Sequence, residues 1–272
     1  MSTAVTGEIG AQTTFPYHRS FLAILLRDIY VTSRDLPAFL AQVALQPLFL
    51  LFVFGHVITT LGFADTGYSD LLFPGTIAMS AMLTSLQGTG MPLAIDFAVA
   101  KEIEDRLLAP IPLALVATEK ILFGALRGVL TGILVFPIGL LMLGSIPLRA
   151  QGLPLLVVTL LLGSLVGASL GMMLGTLVPP NQINVVFAVI VTPVLFTGCS
   201  QYPWPSLEHI PWFQWLTTLN PLTYVSETMR AALVPGVPHI ASWICVLMIA
   251  LWLALCGAVG MWGFQRRATN PA

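Results

Sequence analysis

The sequence has 272 residues, of which 57% are hydrophobic and only 8% are charged, and its formal net charge is −1. Soluble domains contain roughly 45–50% apolar residues, so this composition indicates an integral membrane protein with room for about six spans of about 20 residues. The balanced charge argues against a nucleic-acid partner, which requires a basic surface to neutralise phosphates.

The chain begins with a polar stretch that predicts a flexible cytosolic N-terminus over residues 1–20 and no cleavable signal peptide. Apolar side chains then recur at helical spacing within residues 21–34, at Phe21, Ile24, Leu25 and Ile29. This segment is too short and too charged to span a bilayer. It predicts an amphipathic helix that lies in the headgroup plane, with a frayed cytosolic lead-in as the alternative.

Six apolar segments within residues 35–267 predict six transmembrane helices. They are Leu36–Leu61, Leu71–Ile95, Leu113–Leu148, Leu153–Leu177, Ile183–Gly198 and Ile240–Phe264. Pro47 is expected to kink the first helix. Lys120 and Arg127 lie on one face of the third, so its cytosolic end is expected to protrude or to snorkel. Residues 268–272 form a C-terminal tail.

A charged island over residues 96–110 separates the second and third segments. It contains five charged residues within six positions: Lys101, Glu102, Glu104, Asp105 and Arg106. Val99, Ile103 and Leu107 share the other side of a helix, which Pro110 would end. The pattern is typical of a short amphipathic helix on a membrane surface, although an ordinary solvated loop fits these residues equally well.

The distribution of basic residues predicts the orientation. Six spans place both termini on one side, and the positive-inside rule assigns that side to the cytosol. The basic residues that then become cytosolic are Arg19, Arg27, Arg34, Lys101, Arg106, Lys120, Arg266 and Arg267. Arg149 and Arg230 lie outside, and Arg127 is undecided.

Two series of glycines recur at every fourth residue, which allows helix backbones to approach closely in a membrane. They are Gly124, Gly128 and Gly132 in the third segment, and Gly163, Gly167, Gly171 and Gly175 in the fourth. We expect packing within the chain, with a subunit interface or a moving seam as the alternative. The three cysteines lack CxxC spacing and the four histidines are scattered, so no metal site is predicted.

Residues 199–238 are too long and too aromatic for a plain external loop, and they suit the membrane interface. Asn220 and Pro221 resemble a helix start, with asparagine as N-cap and proline in the first turn. Glu227 and Arg230 are three residues apart and can pair. The stretch predicts two short helices that dip into the outer leaflet. A structured external cap is the alternative.

Three stretches of the sequence resemble one family of membrane proteins. They are Ile103–Ile111 in the charged island, Arg127–Gly128 in the third segment, and Leu219–Tyr224 with Glu227 and Arg230 before the sixth. Together they resemble the permease subunits of ABC-2 type transporters, in the branch of daunorubicin-resistance, nodulation-factor and polysaccharide exporters. The resemblance covers the chain from about Phe21. Many relatives have a glycine just before the acidic pair, where Lys101-Glu102-Ile103 stands here.

The resemblance implies an all-α membrane fold in which residues 96–110 form a cytosolic coupling helix that binds a separate ATPase subunit. Within this helix Glu104, Asp105 and Arg106 would make the polar contacts while Ile103 and Leu107 pack, with Lys101 and Glu102 in the same surface. Neither lysine lies in a GxxxxGK[ST] loop, so ATP and magnesium are expected on the partner, and this chain is not expected to be an enzyme.

The implied complex has two ATPase subunits and two permease chains, the second being this chain or a related one. It would export a hydrophobic, amphipathic or lipid-linked substrate across the cytoplasmic membrane of a prokaryote. An ion-coupled secondary transporter is the alternative, but it needs ionisable residues near the bilayer midplane, where His56 is the only early candidate. No HExxH or GxSxG motif indicates a membrane-embedded enzyme. A structural scaffold would leave the charged island unexplained.

Overall fold

The computed structural model describes residues 17–63, 67–97 and 112–269, and every regular element in these ranges is helical. The helices are α1 Tyr17–Arg34, α2 Leu36–Thr60, α3 Tyr68–Ile95, α4 Leu113–Leu143, α5 Leu153–Leu177, α6 Ile183–Thr197, α7 Pro211–Thr217, α8 Pro221–Leu233 and α9 Ser242–Thr269. Short 3-10 turns occur at Ala150–Gly152, Pro180–Gln182 and Trp204–Leu207. The predicted all-helical class is confirmed for these residues.

Four helices in the described ranges are long and apolar enough to cross a membrane: α2, α4, α5 with its preceding turn, and α9. The helix α3 is also long, with 28 residues, but it carries serines, threonines and glycines and is largely buried by its neighbours. The helix α6 has only 15 residues. At about 1.5 Å per residue it reaches about 22 Å, short of a hydrocarbon core of about 30 Å. The count of six spans therefore stays a prediction.

Several helix boundaries differ from those expected from hydropathy. The fourth apolar segment, which forms α5, has the expected ends. The third segment was expected to reach Leu148, but its helix, α4, stops at Leu143. Gly144 adopts a left-handed φ of 74° there, and its N–H donates to the Leu140 carbonyl. Glycine reaches this conformation without the Cβ penalty, so it ends the helix although the next residues are apolar. The N-terminal helix begins earlier than expected, at Tyr17.

The helix α2 continues through Pro47 instead of ending there. Its next turns, Leu51–Val57, widen into a π-helical stretch before α-helical geometry returns at Ile58. Proline donates no backbone hydrogen bond, and π-helical turns are rare interruptions within otherwise regular α-helices. The kink expected at Pro47 stays a prediction, and the irregularity that the structure shows is the widened segment that begins four residues after the proline.

The helices alternate in direction across the bundle. The second and fourth long helices run in the same direction. Gly167 of α5 lies against Met82 and Gly171 against Leu86, so residue numbers rise together along α3 and α5. Gly128 of α4 lies against Ala81, and Gly124 against Thr89 further along α3, so α4 runs antiparallel to both. Side chains from α3, α4, α5, α8 and α9 form the main buried core.

One face of the bundle, which we call the island face, is where α3 ends and α4 begins. Phe97, just after α3, packs against Phe264 of α9 with ring centroids 5.7 Å apart. Arg267 of α9 donates to the carbonyl oxygens of Gly175, Thr176 and Val178 at the end of α5, at 3.1–3.3 Å. The last turn of α9 therefore lies at the island face, beside the end of α3.

Lys120 and Arg127, whose helix end was expected to protrude or to snorkel, contact different neighbouring helices. Lys120 Nζ lies 3.0 Å from Asp28 Oδ2 of α1, and both side chains are nearly buried. Arg127 instead lies over the ring of Phe39 in α2, at 4.7 Å from the centroid. The two cations are separated because their turns face different neighbouring helices, which the spacing along α4 does not reveal.

Candidate functional site

The helix α8 starts at a polar junction with the end of α6. The Asn220 side chain caps α8 by accepting from the Leu222 N–H at 2.9 Å, as expected for an N-cap followed by proline. Its amide nitrogen also donates to the Val194 carbonyl oxygen at 2.7 Å and to Thr197 Oγ1 at 2.9 Å. One side chain therefore joins the last turn of α6 to the first turn of α8.

The helix α8 lies inside the bundle rather than on top of it. A Cβ on Gly163, ten residues into α5, would meet the Val225 side chain at 2.6 Å, and one on Gly152 would meet the Ala232 carbonyl oxygen at 1.9 Å. Val225 therefore lies about 15 Å along α5 from its start, and α8 continues from there to the face opposite the island. Of its thirteen residues, only Ala231 is not buried.

Glu227 and Arg230 form an ion pair in the interior beside α8. Arg230 Nη1 donates to Glu227 Oε1, and both side chains have no exposed surface. Glu227 also accepts from the Trp204 N–H at 2.9 Å and from the Ile240 N–H at 3.1 Å. Arg230 Nη2 donates to the Cys199 carbonyl oxygen at 3.0 Å.

This ion pair joins α8 to three chain segments that are far apart in sequence: the turn after α6, the 3-10 turn at Trp204, and the lead into α9. A buried pair gains little net energy over apolar residues, but removing one partner leaves an uncompensated charge. The pair therefore holds the connection between α6 and α9 in one arrangement. The sequence indicated the i to i+3 pairing but not the burial.

The turn after α6 has a strained backbone at Cys199, the residue whose carbonyl oxygen accepts from Arg230. Cys199 has a φ of 50°, the only positive value at a non-glycine residue in the described ranges. Its left-handed conformation lies next to Ser200, whose carbonyl oxygen lies so close to α3 that a Cβ on Gly75 would be 1.7 Å from it. The turn is therefore wedged between α3 and Arg230.

The glycine series of α5 faces two neighbouring helices. Gly163 lies against Val225 of α8, whereas Gly167, Gly171 and Gly175 lie against the backbone of α3. At Gly167 a Cβ would be 2.4 Å from the Met82 carbonyl oxygen. This face of α5 is thus occupied within the chain.

The predicted coupling surface, Lys101–Leu107, lies outside the described residues. The structure describes its two flanks. Asp96 and Phe97 follow α3, and Pro112 precedes α4 with an extended backbone. Both flanks lie at the island face, beside the final turns of α9.

Comparison with known proteins identifies the family. The model of the ABC-2 type transporter family matches residues 19–234. The chain belongs to the ABC-2 type transporter family. The inner membrane transport permease YadH of Escherichia coli K12 is 26% identical to this ABC-2 chain over 196 residues, which are 70% of the chain and 73% of the relative. The putative transport permease ycf38 of Cyanophora paradoxa is 29% identical over 224 residues, 77% and 72% of the two chains.

The match confirms the resemblance drawn from the sequence and identifies the chain as a membrane transport protein of ABC-2 type. It ends at residue 234, one residue past α8. It therefore covers α1 to α8, including the junction at Asn220 and the buried ion pair. Arg127, whose side of the membrane the charge distribution leaves undecided, also lies within the match, near the middle of α4.

Proposed function

We propose that this ABC-2 chain is the transmembrane permease subunit of an ATP-driven exporter for a hydrophobic, amphipathic or lipid-linked substrate. Family membership over most of the chain supports this function. The two lysines are outside any phosphate loop, so we assign ATP and magnesium to a separate ATPase subunit, present in two copies. A second permease chain, this one or a related one, completes the proposed complex in the cytoplasmic membrane of a prokaryote.

The proposed topology has six crossings, with α6 and α8 together forming the fifth. The helix α6 is too short to cross alone, and α8 begins where α6 ends and continues in the same direction toward the opposite face. Residues 199–220, including α7, then form a re-entrant connection between the two. The exposed indoles of Trp212 and Trp215 suit an interfacial position for α7.

The proposed orientation places the island face in the cytosol. Arg266 and Arg267 lie at that face, together with the Lys120–Asp28 pair. Arg149 lies beyond α4 toward the opposite face. Basic residues concentrate on the cytosolic side of membrane proteins, so both termini are proposed to be cytosolic.

The charged island, residues 96–110, is proposed as the coupling helix. Its flanks are anchored at the island face, so a force applied there would act directly on α3, α4 and α9. Glu104, Asp105 and Arg106 are assigned the polar contacts with the ATPase subunit, and Ile103 and Leu107 the apolar ones.

The test is charge reversal of the acidic pair, Glu104→Lys with Asp105→Lys. Coexpressed with a candidate ABC ATPase subunit, the variant is expected to retain about a tenth or less of the copurified ATPase, because like charges across an interface cost several kcal/mol. Membrane insertion of the variant should be unchanged. The matched control is Glu208→Lys, which reverses an exposed charge outside the island. Undiminished copurification and ATP-driven transport in the double variant would refute the assignment.

A further inference from the structure

A polar cavity of about 410 Å³ lies between α2, α3 and α4. Its lining includes a cation and several neutral hydrogen-bonding side chains: Gln42, Gln46, Ser80, Thr84, Gln87 and Arg127. Such groups are costly against lipid tails unless they face water or a ligand. The exposed amides of Gln42 and Gln46 on α2 mark the open side of this cavity.

Arg127 is held in place along the wall of the cavity. Its guanidinium carbon lies 4.7 Å from the centroid of the Phe39 ring, a cation–π contact. On α3, a Cβ placed on Gly88 would be 3.5 Å from Arg127 Cδ and Nη1, so the side chain lies directly on the Gly88 backbone. The charge is therefore positioned by an aromatic ring and a glycine, neither of which neutralises it.

Two buried polar atoms at this cavity lack an acceptor or donor among the described residues. They are Nε of Arg127 and Oγ of Ser80, and Ser80 is only 3% exposed. Buried polar groups in native proteins are almost always hydrogen-bonded, so an unpaired pair beside one cavity calls for a partner. Both atoms can donate a hydrogen bond, so the kind of partner that each lacks is an acceptor, such as an oxyanion oxygen.

The cavity extends inward from the island face. Gly88, which lies against Arg127, is seven residues before the end of α3 at the island face, or about 10 Å along the helix axis. A molecule bound here would place its acidic group at Arg127. Phe39, Val43 and Met91 supply apolar contacts along the same wall.

We propose that this cavity binds the phosphodiester group of an anionic amphipath, with Arg127 and Ser80 donating to its oxygens. A single cation among neutral donors matches a group with one negative charge. The amide and hydroxyl groups of Gln87 and Thr84 can bind hydroxyls next to the phosphate. Only the identification of this molecule as the exported cargo rests on the function proposed above; its binding does not.

The test measures binding to the purified full-length chain in a neutral detergent. The midpoint of thermal unfolding is followed as phosphatidylglycerol, phosphatidylcholine or inorganic phosphate is added, and the concentration dependence yields each Kd. Arg127→Gln is compared with Arg149→Gln, which removes the same charge from an exposed position outside the cavity. Ser80→Ala provides a second, milder variant.

Phosphatidylglycerol is expected to bind more tightly than phosphatidylcholine. Arg127→Gln should weaken it about 10- to 100-fold, the size of a charge-assisted hydrogen bond, while Arg149→Gln leaves the Kd unchanged. Ser80→Ala should weaken it about 2- to 10-fold. Arg127-dependent binding of inorganic phosphate without binding of phosphatidylglycerol would overturn the amphipath in favour of a free anion.

Equal binding of the two lipids, or equal losses in Arg127→Gln and Arg149→Gln, would overturn the proposal. If Arg127→Gln does not fold, an unchanged Kd in Ser80→Ala overturns it. These measurements need neither ATP nor a partner subunit. If the binding prediction fails, the ATPase test on Glu104 and Asp105 can still succeed. If the ATPase test fails, the binding prediction can still succeed.

Discussion

Replacing Glu227 by glutamine is the most direct test of the junction between α6, α8 and α9. The substitution keeps the shape of the side chain but removes its charge. Arg230 would then lie in the interior without its counter-charge, while Nη2 keeps its hydrogen bond to the Cys199 carbonyl oxygen at 3.0 Å. In addition, Trp204 N–H and Ile240 N–H donate to different carboxylate oxygens, and the amide nitrogen that replaces one of these oxygens cannot accept, so one of the two donors is left unpaired.

The expected cost follows from these losses. Removing one partner of a buried ion pair costs about 3–5 kcal/mol. Arg230→Met should cost less, about 2–3 kcal/mol, because the Glu227 carboxylate would keep its two backbone N–H donors. The double variant Glu227→Gln with Arg230→Met should be more stable than Glu227→Gln alone, since no uncompensated charge remains.

Thermal unfolding of the purified chain in detergent measures these differences. At about 2–4 °C per kcal/mol, Glu227→Gln should lower the midpoint by about 6–20 °C. The control is Glu208→Gln, because Glu208 is 74% exposed and its contact with His209 is 4.0 Å, so its effect should stay within about 0.5 kcal/mol. Equal midpoints for Glu227→Gln and Glu208→Gln, or a double variant with the summed loss of both single ones, would refute the reasoning.

Two further substitutions test the packing of the bundle by the same measurement. Gly167→Ala should destabilise the chain by about 1–3 kcal/mol, because the new methyl group would lie 2.4 Å from the Met82 carbonyl oxygen. Gly257→Ala, with open space around its Cβ position, should instead gain up to about 1 kcal/mol of stability from helix propensity. A less stable Gly257→Ala than Gly167→Ala would contradict the packing. Asn220→Ala should cost about 1–3 kcal/mol through the lost cap and the link to α6, while the exposed Asn184→Ala in α6 stays near wild type. A comparable loss in both asparagine variants would remove the special role of Asn220.

Local pattern in the sequence was sufficient to locate most of the helices, although not all of their ends. A run of apolar residues bounded by glycine and proline predicted Leu153–Leu177 with the observed ends, and Leu113 was correctly expected to open α4. Helix formation depends on neighbouring residues and on hydropathy, both of which can be read along the chain. The same holds for Asn220, since an N-cap bonds to an amide two residues away.

The role of the charged island is expected from the sequence, and Lys101–Leu107 lie outside the described residues. Its assignment as a coupling helix stays a prediction that the ATPase test addresses.

The tertiary structure alone decided what surrounds each polar residue. Glu227 and Arg230 were expected in a helix at the outer leaflet, yet they are enclosed by segments that begin at Cys199, Trp204 and Ile240. Arg127 was undecided until α2 and α3 enclosed it beside Phe39 and Gly88. Periodicity along one helix identifies which residues share a face, but it carries no information about which distant segment covers that face. Burial and partners, and with them the energetic weight of each charge, come from those long-range contacts.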